Sequence, residues 1–304
     1  MRILMLGGTA LTGPHVARQL QGHDLWTLSR RGWQVAHATA VIGDREKSAD
    51  IGDSLQTARP DLIIDMVPFT VQGAQALVDA LTTYGHAVPV IALSSIDVYA
   101  GYGRLHGTEE TAFQPVPFKE NATLRQHYGP EGAAYDKIGV EELYAASLPD
   151  LTILRMPAIY GWPDATRIAP YLDPMLRGDA HIEMAEDVMS FQISRSLHKN
   201  AAHAVVCAVR TPPDGQRIFN VAELQAHTEA EWLHLIARHV GWNGHIKAAP
   251  KRWDGGPLQS LAGDSTAIRD TLGFTEVYDP HDGLADAIDH YIYSRRGIAY
   301  EKGY

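Results

Sequence analysis

Leu6-Gly7-Gly8-Thr9-Ala10-Leu11-Thr12-Gly13 joins a compact apolar run, Ile3–Leu6, to a segment, Gly13–Leu20, whose apolar residues recur at helical spacing. A run that short and that apolar, stopped by two glycines, reads as a buried strand. Pro14 stands near the start of the helical segment, where a missing N–H costs little. A strand, a glycine turn and a helix in that order form an anion-binding corner. Backbone N–H groups face outward from the turn, and a helix N-terminus lies behind them. A dinucleotide pyrophosphate fits such a corner. Gly7 supplies the tight turn, and Gly13 lets the helix approach the sheet closely. Ala10 holds the middle position of the G-x-x-G-x-x-G pattern, adding one methyl group. Thr9, Ala10, Leu11 and Thr12 are therefore expected to present their backbone to the phosphates.

Working outward, the first half of the chain alternates short β-like runs with helical patterns. Leu25–Leu28, Thr39–Ile42, Leu62–Met66, Val88–Leu93 and Leu151–Leu154 are short and rich in Leu, Ile and Val. Val71–Tyr84 and roughly Ala134–Ser147 have helical periodicity. Strand and helix taking turns predict a parallel sheet covered on both faces. The fold class is thus α/β, a Rossmann-type doubly wound parallel sheet with a smaller C-terminal substrate lobe. After Tyr160 the pattern loosens, and Pro163, Pro170, Pro174, Pro212 and Pro213 punctuate it. Helices are expected near Asn200–Val209, Glu229–Val240 and Gly283–Tyr293, and a strand at Arg217–Val221. We place the nucleotide-binding domain at 1–160 and the substrate lobe at 161–304, with 195–222 returning to the first domain.

Composition excludes several classes. Thirty-six Asp and Glu against 26 Lys and Arg leave a formal net charge of −10 over 304 residues, and no long basic run occurs. Such a surface repels phosphate backbones, so no nucleic-acid partner is expected. Cys207 is the single cysteine, which rules out an intramolecular disulfide. The apolar N-terminal run is too short for a signal peptide, and no window suits a bilayer span, so a cytoplasmic location is expected.

The whole chain resembles the NAD(P)-dependent epimerase/dehydratase family, the extended short-chain dehydrogenases/reductases. The Gly7–Gly13 loop resembles that family's N-terminal fingerprint. Ser94-Ser95-Ile96-Asp97-Val98-Tyr99 resembles its segment after the fifth strand, and Leu154-Arg155-Met156-Pro157-Ala158-Ile159-Tyr160-Gly161 its segment after the sixth. Arg217-Ile218-Phe219-Asn220-Val221 and Ile268–Phe274 resemble its C-terminal lobe. The resemblance implies a nicotinamide dinucleotide cofactor. It places Asp44 against the adenine, Val67 and Pro68 along the adenosine, and Pro157 and Ile159 among the cofactor contacts. Choice between NAD and NADP falls after the second strand, where a carboxylate holds a ribose hydroxyl and an arginine accommodates a 2′-phosphate. The sequence there is Leu28-Ser29-Arg30-Arg31-Gly32, with no acid, so NADP is preferred, held by Arg30 or Arg31.

The resemblance also implies a proton-transferring tyrosine, a lysine four residues later, and a serine. Ser95 stands four residues before Tyr99, as the family serine does; the bland reading is a serine capping a strand end. The tyrosine–lysine pair departs from the pattern. Tyr135 has Gly139 four residues on, and Lys137 has Ala133 four residues before. On a continuous helix residues i and i+2 lie about 200° apart, so Tyr135 and Lys137 do not share a face. Lys137-Ile138-Gly139-Val140-Glu141 resembles the stretch after the family lysine, which favours Lys137 as the ribose-binding lysine and Ala133 in the tyrosine position. Tyr135 reaches the pocket only if the helix starts late, and Tyr128 is a further substitute.

The expected function is therefore oxidoreduction, or epimerase/dehydratase chemistry, at a hydroxyl or carbonyl group of a small molecule, a sugar nucleotide being one candidate. Ser95, Lys137 and Tyr135 are the catalytic candidates. The rival is a non-catalytic NADP-binding sensor or scaffold, which the altered motif favours. A homodimer is an admissible assembly. No metal site is expected, because no His pair has the H-E-x-x-H form and no cysteine pair exists. His181, Glu183, Glu186 and Asp187 read as an acidic loop. Trp162, Trp232, Trp242 and Trp253 suit core and pocket walls, with Trp162 a platform on which a sugar or base stacks.

Overall fold

The computed structural model describes residues 1–252 and 258–298; Trp253 lies outside them. The strands are β1 (Arg2–Leu6), β2 (Asp24–Ser29), β3 (Thr39–Ile42), β4 (Leu62–Asp65), β5 (Val90–Ser95), β6 (Leu151–Met156), β7 (Ala158–Tyr160), β8 (His181–Ala185), β9 (Arg195–Leu197), β10 (Gln216–Asn220) and β11 (His245–Ala249). The α-helices are α1 (Gly13–Gln19), α2 (Ser48–Ala58), α3 (Val71–Tyr84), α4 (Ala100–Leu105), α5 (Lys137–Ser147), α6 (Ala169–Arg177), α7 (Glu186–Met189), α8 (His198–Arg210), α9 (Glu229–Val240), α10 (Thr266–Leu272) and α11 (Pro280–Arg295).

Seven strands form one sheet in the order β10-β6-β5-β4-β1-β2-β3, every neighbouring pair parallel. Order reverses between β1 and β4, which opens a crevice at the carboxyl ends of those strands. Side chains alternate between the two faces, as the pleat requires. Ile3, Met5, Ile64 and Ile91 pack under α1, α8 and α10. Leu4, Leu6, Ile63 and Val90 pack under α2, α3 and α5. Both faces are buried, and this is why the strands read as continuous apolar runs.

Helix α2 has no counterpart in the sequence reading. Its apolar residues Ile51, Leu55 and Ala58 are buried, but only three points mark the periodicity among polar neighbours. The chain from 195 onward contributes to the sheet: α8 packs on α1 and β10 pairs with β6. Tyr160, Leu172, Ile182, Trp232, Ile236 and Ile288 form a separate core in the C-terminal part. There His181–Ala185 is a strand paired with β11 and Glu186–Met189 a helical turn, so the acidic-loop reading is corrected. Its Glu183 carboxylate pairs with Lys247 across the two strands.

Where α1 meets α8, the rings of His15 and His198 lie 4.4 Å apart. Nδ1 of His198 is buried without a partner. Burial, with the charge of Lys199, lowers the pKa of His198 to about 3 and that of His15 to about 4; His15 also acts on His198, and Arg18 on His15. The unfolded chain takes up these protons near pH 6.5 and the folded chain does not, so stability falls as pH drops from 6.5 toward 4. Glu223, raised to about 7 mainly by burial, acts in the opposite direction between pH 7 and 4.5. The difference between variants therefore isolates the histidines. A His198→Leu protein is expected to lose less stability between pH 7 and 4.5 than the wild type, by on the order of 2 kcal/mol. Urea unfolding at the two pH values checks this; equal losses would refute it.

Candidate active site

At the first turn, Gly7 and Gly8 adopt φ of +84° and +86°. The Gly7 N–H donates to the Leu28 carbonyl, tying the turn to β2. A methyl group at Gly7 would stand 2.6 Å from Cγ2 of Val67, so Val67 forms a wall of the turn. Gly13 packs its Cα directly on the Gly8 backbone, and a methyl there would fall on the Gly8 carbonyl oxygen. Among the described residues, the backbone N–H groups of Thr9, Ala10, Leu11 and Thr12 have no protein acceptor. Four unpaired donors ahead of a helix are what a pyrophosphate requires. This donor set fits the dinucleotide cofactor.

The second half of the site forms where β4, β5 and α5 meet. Asp136 ends the preceding segment: its N–H donates to the Phe69 carbonyl, and its carboxylate accepts the Gly139 N–H, capping α5. The helix consequently begins at Lys137, and Gly132–Tyr135 forms a separate 3₁₀ turn. This overturns the expectation of one helix from Ala134. Because the backbone changes direction at Asp136, the 200° argument does not apply, and Tyr135 and Lys137 meet. The Lys137 ammonium lies 5.4 Å from the centre of the Tyr135 ring and 4.5 Å from that of Phe69. It is buried and donates to the carbonyls of Pro68 and Leu93, at 3.1 and 3.0 Å. A third N–H remains for a ligand. Burial lowers its pKa to about 8, against the opposing pull of Asp65.

The Tyr135 hydroxyl donates to Oδ2 of Asp97 at 3.2 Å and also contacts the Ser95 hydroxyl. Ser95 caps the short 3₁₀ turn Ile96–Val98, its Oγ accepting the Asp97 N–H at 3.2 Å. The capping reading of this serine is met.

No family model matches the sequence. No curated protein matches it either. Solved structures do. UDP-glucose 4-epimerase from Thermotoga maritima, solved with UDP-glucose, superposes with a TM-score of 0.74 at 18% identity, covering 97% of this chain and 100% of that one. dTDP-glucose 4,6-dehydratase from Bacillus anthracis, in complex with NAD, gives 0.75 at 14%, covering 98% of each. UDP-glucose 4-epimerase from Stenotrophomonas maltophila, with NAD and formylated UDP-arabinopyranose, gives 0.75 at 19%, covering 98% and 99%. The chain shares the fold of these epimerases and this dehydratase.

Set against the pattern of that fold, both registers weighed from sequence need revision. Ala133 is exposed on the 3₁₀ turn and does not stand in the tyrosine place. A side chain at 139 would meet Cγ2 of Val71 at 2.6 Å and strike the Asp136 cap, so no lysine fits there. Tyr128 is 54% exposed and, among the described residues, forms no hydrogen bond with Ser95, Asp97 or Lys137.

Asp97 is the site residue that sequence reasoning missed. Burial raises its pKa, opposed by hydrogen bonds from Ser95 and Tyr135. An aspartate two residues after the candidate serine was the available signal.

The remaining candidates line the crevice unevenly. Arg30 and Arg31 are exposed just beyond β2, Arg31 stacked on Trp33 at 5.2 Å. The Ser29 hydroxyl beside them is buried without a partner. Asp44 accepts the Glu46 N–H and donates its own to Asp50. Ile159 packs against the core under β1 and β4, next to buried Pro157. The Trp162 ring lies parallel to that of His290 at 6.1 Å, so His290 occupies a stacking position there.

Proposed function

We propose that this chain is an NAD(P)-dependent enzyme of the epimerase/dehydratase or reductase type, acting on a hydroxyl or carbonyl group of a sugar nucleotide. One observation carries the reading. The cap at Asp136 brings Ser95, Tyr135 and Lys137 together at the carboxyl end of β5, facing the crevice that begins at Gly7–Gly13. The cofactor, when bound, accepts or returns a hydride. Thr9, Ala10, Leu11 and Thr12 would hold its pyrophosphate by backbone N–H groups, and the third Lys137 N–H would hold the nicotinamide ribose. Ser95 orients the substrate oxygen, and Tyr135 exchanges the proton with it.

NADP is the preferred form, supported by Arg30 and Arg31 and the absence of an acid after β2. Neighbours solved with NAD are proteins of low identity, and the preference rests on the arginines alone. Because Arg31 is engaged by Trp33, Arg30 is the group we assign to the 2′-phosphate. Arg30→Ala is expected to weaken NADPH about tenfold or more, a charge-assisted hydrogen bond's share, and to leave NADH unchanged. Fluorescence titration of both cofactors, followed by turnover against nucleotide sugars, ketones and aldehydes, tests the whole assignment. Failure to bind either dinucleotide would refute the function. Equal effects of Arg30→Ala on both would refute only the NADP preference.

A further inference from the structure

The usual means of activating a phenol beside a lysine is the ammonium's positive charge, which favours the phenolate. Here the ammonium of Lys137 is tied to two backbone carbonyls and sits over the Tyr135 ring. The phenol oxygen faces a carboxylate instead.

We propose that Asp97 is the positioning residue that holds the exchangeable proton of Tyr135, so that carboxylate and phenol work as one acid–base unit. The inference rests on the reading of this cleft as a dehydrogenase-type site. In the oxidative direction, the C–H bond of the substrate carbinol breaks and its hydride goes to the oxidised nicotinamide. The hydroxyl proton passes to the Tyr135 oxygen as the proton of Tyr135 passes to Oδ2 of Asp97. The products are a carbonyl, the reduced cofactor and a protonated Asp97. In the reductive direction each transfer reverses. Tyr135 is never a free phenolate in either, because one proton is always shared along the pair.

The surroundings suit that role. Ser95 lies beside both partners, and its Oγ accepts the Asp97 N–H. Arg125 binds the Asp97 carbonyl through Nε and fixes the backbone of that turn. Arg167 draws Asp97 toward ionisation, and Glu131 repels it. Tyr102, also near Asp97, donates its hydroxyl to Glu131 at 2.8 Å. Burial and the charge of Asp97 hold the Tyr135 pKa well above the ordinary tyrosine value.

The test needs neither substrate nor cofactor. Protein labelled with ¹³C at the tyrosine ring carbon that bears oxygen is titrated by NMR, with Tyr135 assigned from a Tyr135→Phe sample. The wild-type midpoint is expected above about 10, the unperturbed tyrosine value. Asp97→Asn is expected to lower it by at least one pH unit, and Asp97→Glu to leave it near the wild type. A wild-type midpoint at or below about 10, or no change in a folded Asp97→Asn protein, overturns the proposal. Should Asp97→Asn fail to fold, Asp97→Ser takes its place in the same titration, because burial alone raises the wild-type midpoint. NADPH binding to the same samples keeps the two readings apart. Failure of the wild type to bind either NADPH or NADH removes the proposed function, whatever Tyr135 does.

Discussion

A Gly13→Ala protein is expected to lose nucleotide binding and about 3 kcal/mol or more of stability, near the top of what single substitutions cost. The added methyl falls on the Gly8 carbonyl, and both groups are backbone, so no rotamer change relieves the collision. Helix α1 would have to retreat from the turn, away from its contacts with α8. Gly7→Ala provides the contrast. Its φ of +84° costs an alanine about 1–2 kcal/mol, and its collision is with the Val67 side chain, which can be trimmed. The Gly7→Ala/Val67→Ala pair should therefore fold better than Gly7→Ala alone. Denaturant unfolding and NADPH titration of the three variants check the ordering. Wild-type stability and affinity in Gly13→Ala would show that the turn is not packed as described.

Replacing Arg155 by leucine is expected to cost about 3–5 kcal/mol, because it strands a buried carboxylate. Arg155, at the end of β6, donates through Nε and Nη2 to both oxygens of Glu141, at 3.1 and 2.7 Å. Nη1 also reaches the Tyr99 hydroxyl and the Glu120 carbonyl. Glu141 lies one turn after Lys137 on α5, so the pair fixes that helix against the sheet. Cofactor affinity should fall along with stability. Arg155→Leu/Glu141→Leu should regain most of the stability, since a matched apolar pair removes the stranded charge. The cycle is measured by chemical denaturation. A single-variant cost below about 1 kcal/mol would mean that water reaches the pair.

The parts of this molecule legible from sequence are those governed by local rules. Ile3–Leu6 followed by two glycines specifies its own strand and turn, and the Leu-, Ile- and Val-rich runs at 62 and 90 could hardly be anything but central strands. Helix α2 was harder, since three buried residues among polar ones give a faint stripe. The site at Tyr135 failed for a sharper reason. Periodicity ran from Ala134 without interruption, and the short-range signal that should have broken it, Asp136 three residues before Gly139, was not used as a helix start. One capping hydrogen bond moves the helix origin and turns two residues that seemed to face apart into neighbours. Asp97 left one local mark, its place two residues after Ser95, but its partner is 38 residues away.

The return of β10 and α8 to the sheet bears on how the chain is made. Most of α8 is buried against the face built by Ile3, Met5, Ile64 and Ile91. A chain emerging from the ribosome has five of these seven parallel strands by residue 95 and a sixth by 156, yet only α1 covers that face, leaving the rest bare until residue 198 and beyond. At ordinary elongation rates the bare apolar surface persists for several seconds, roughly. The nascent polypeptide is thus a substrate for chaperones during that window, and a stop codon near 160 would leave it so permanently.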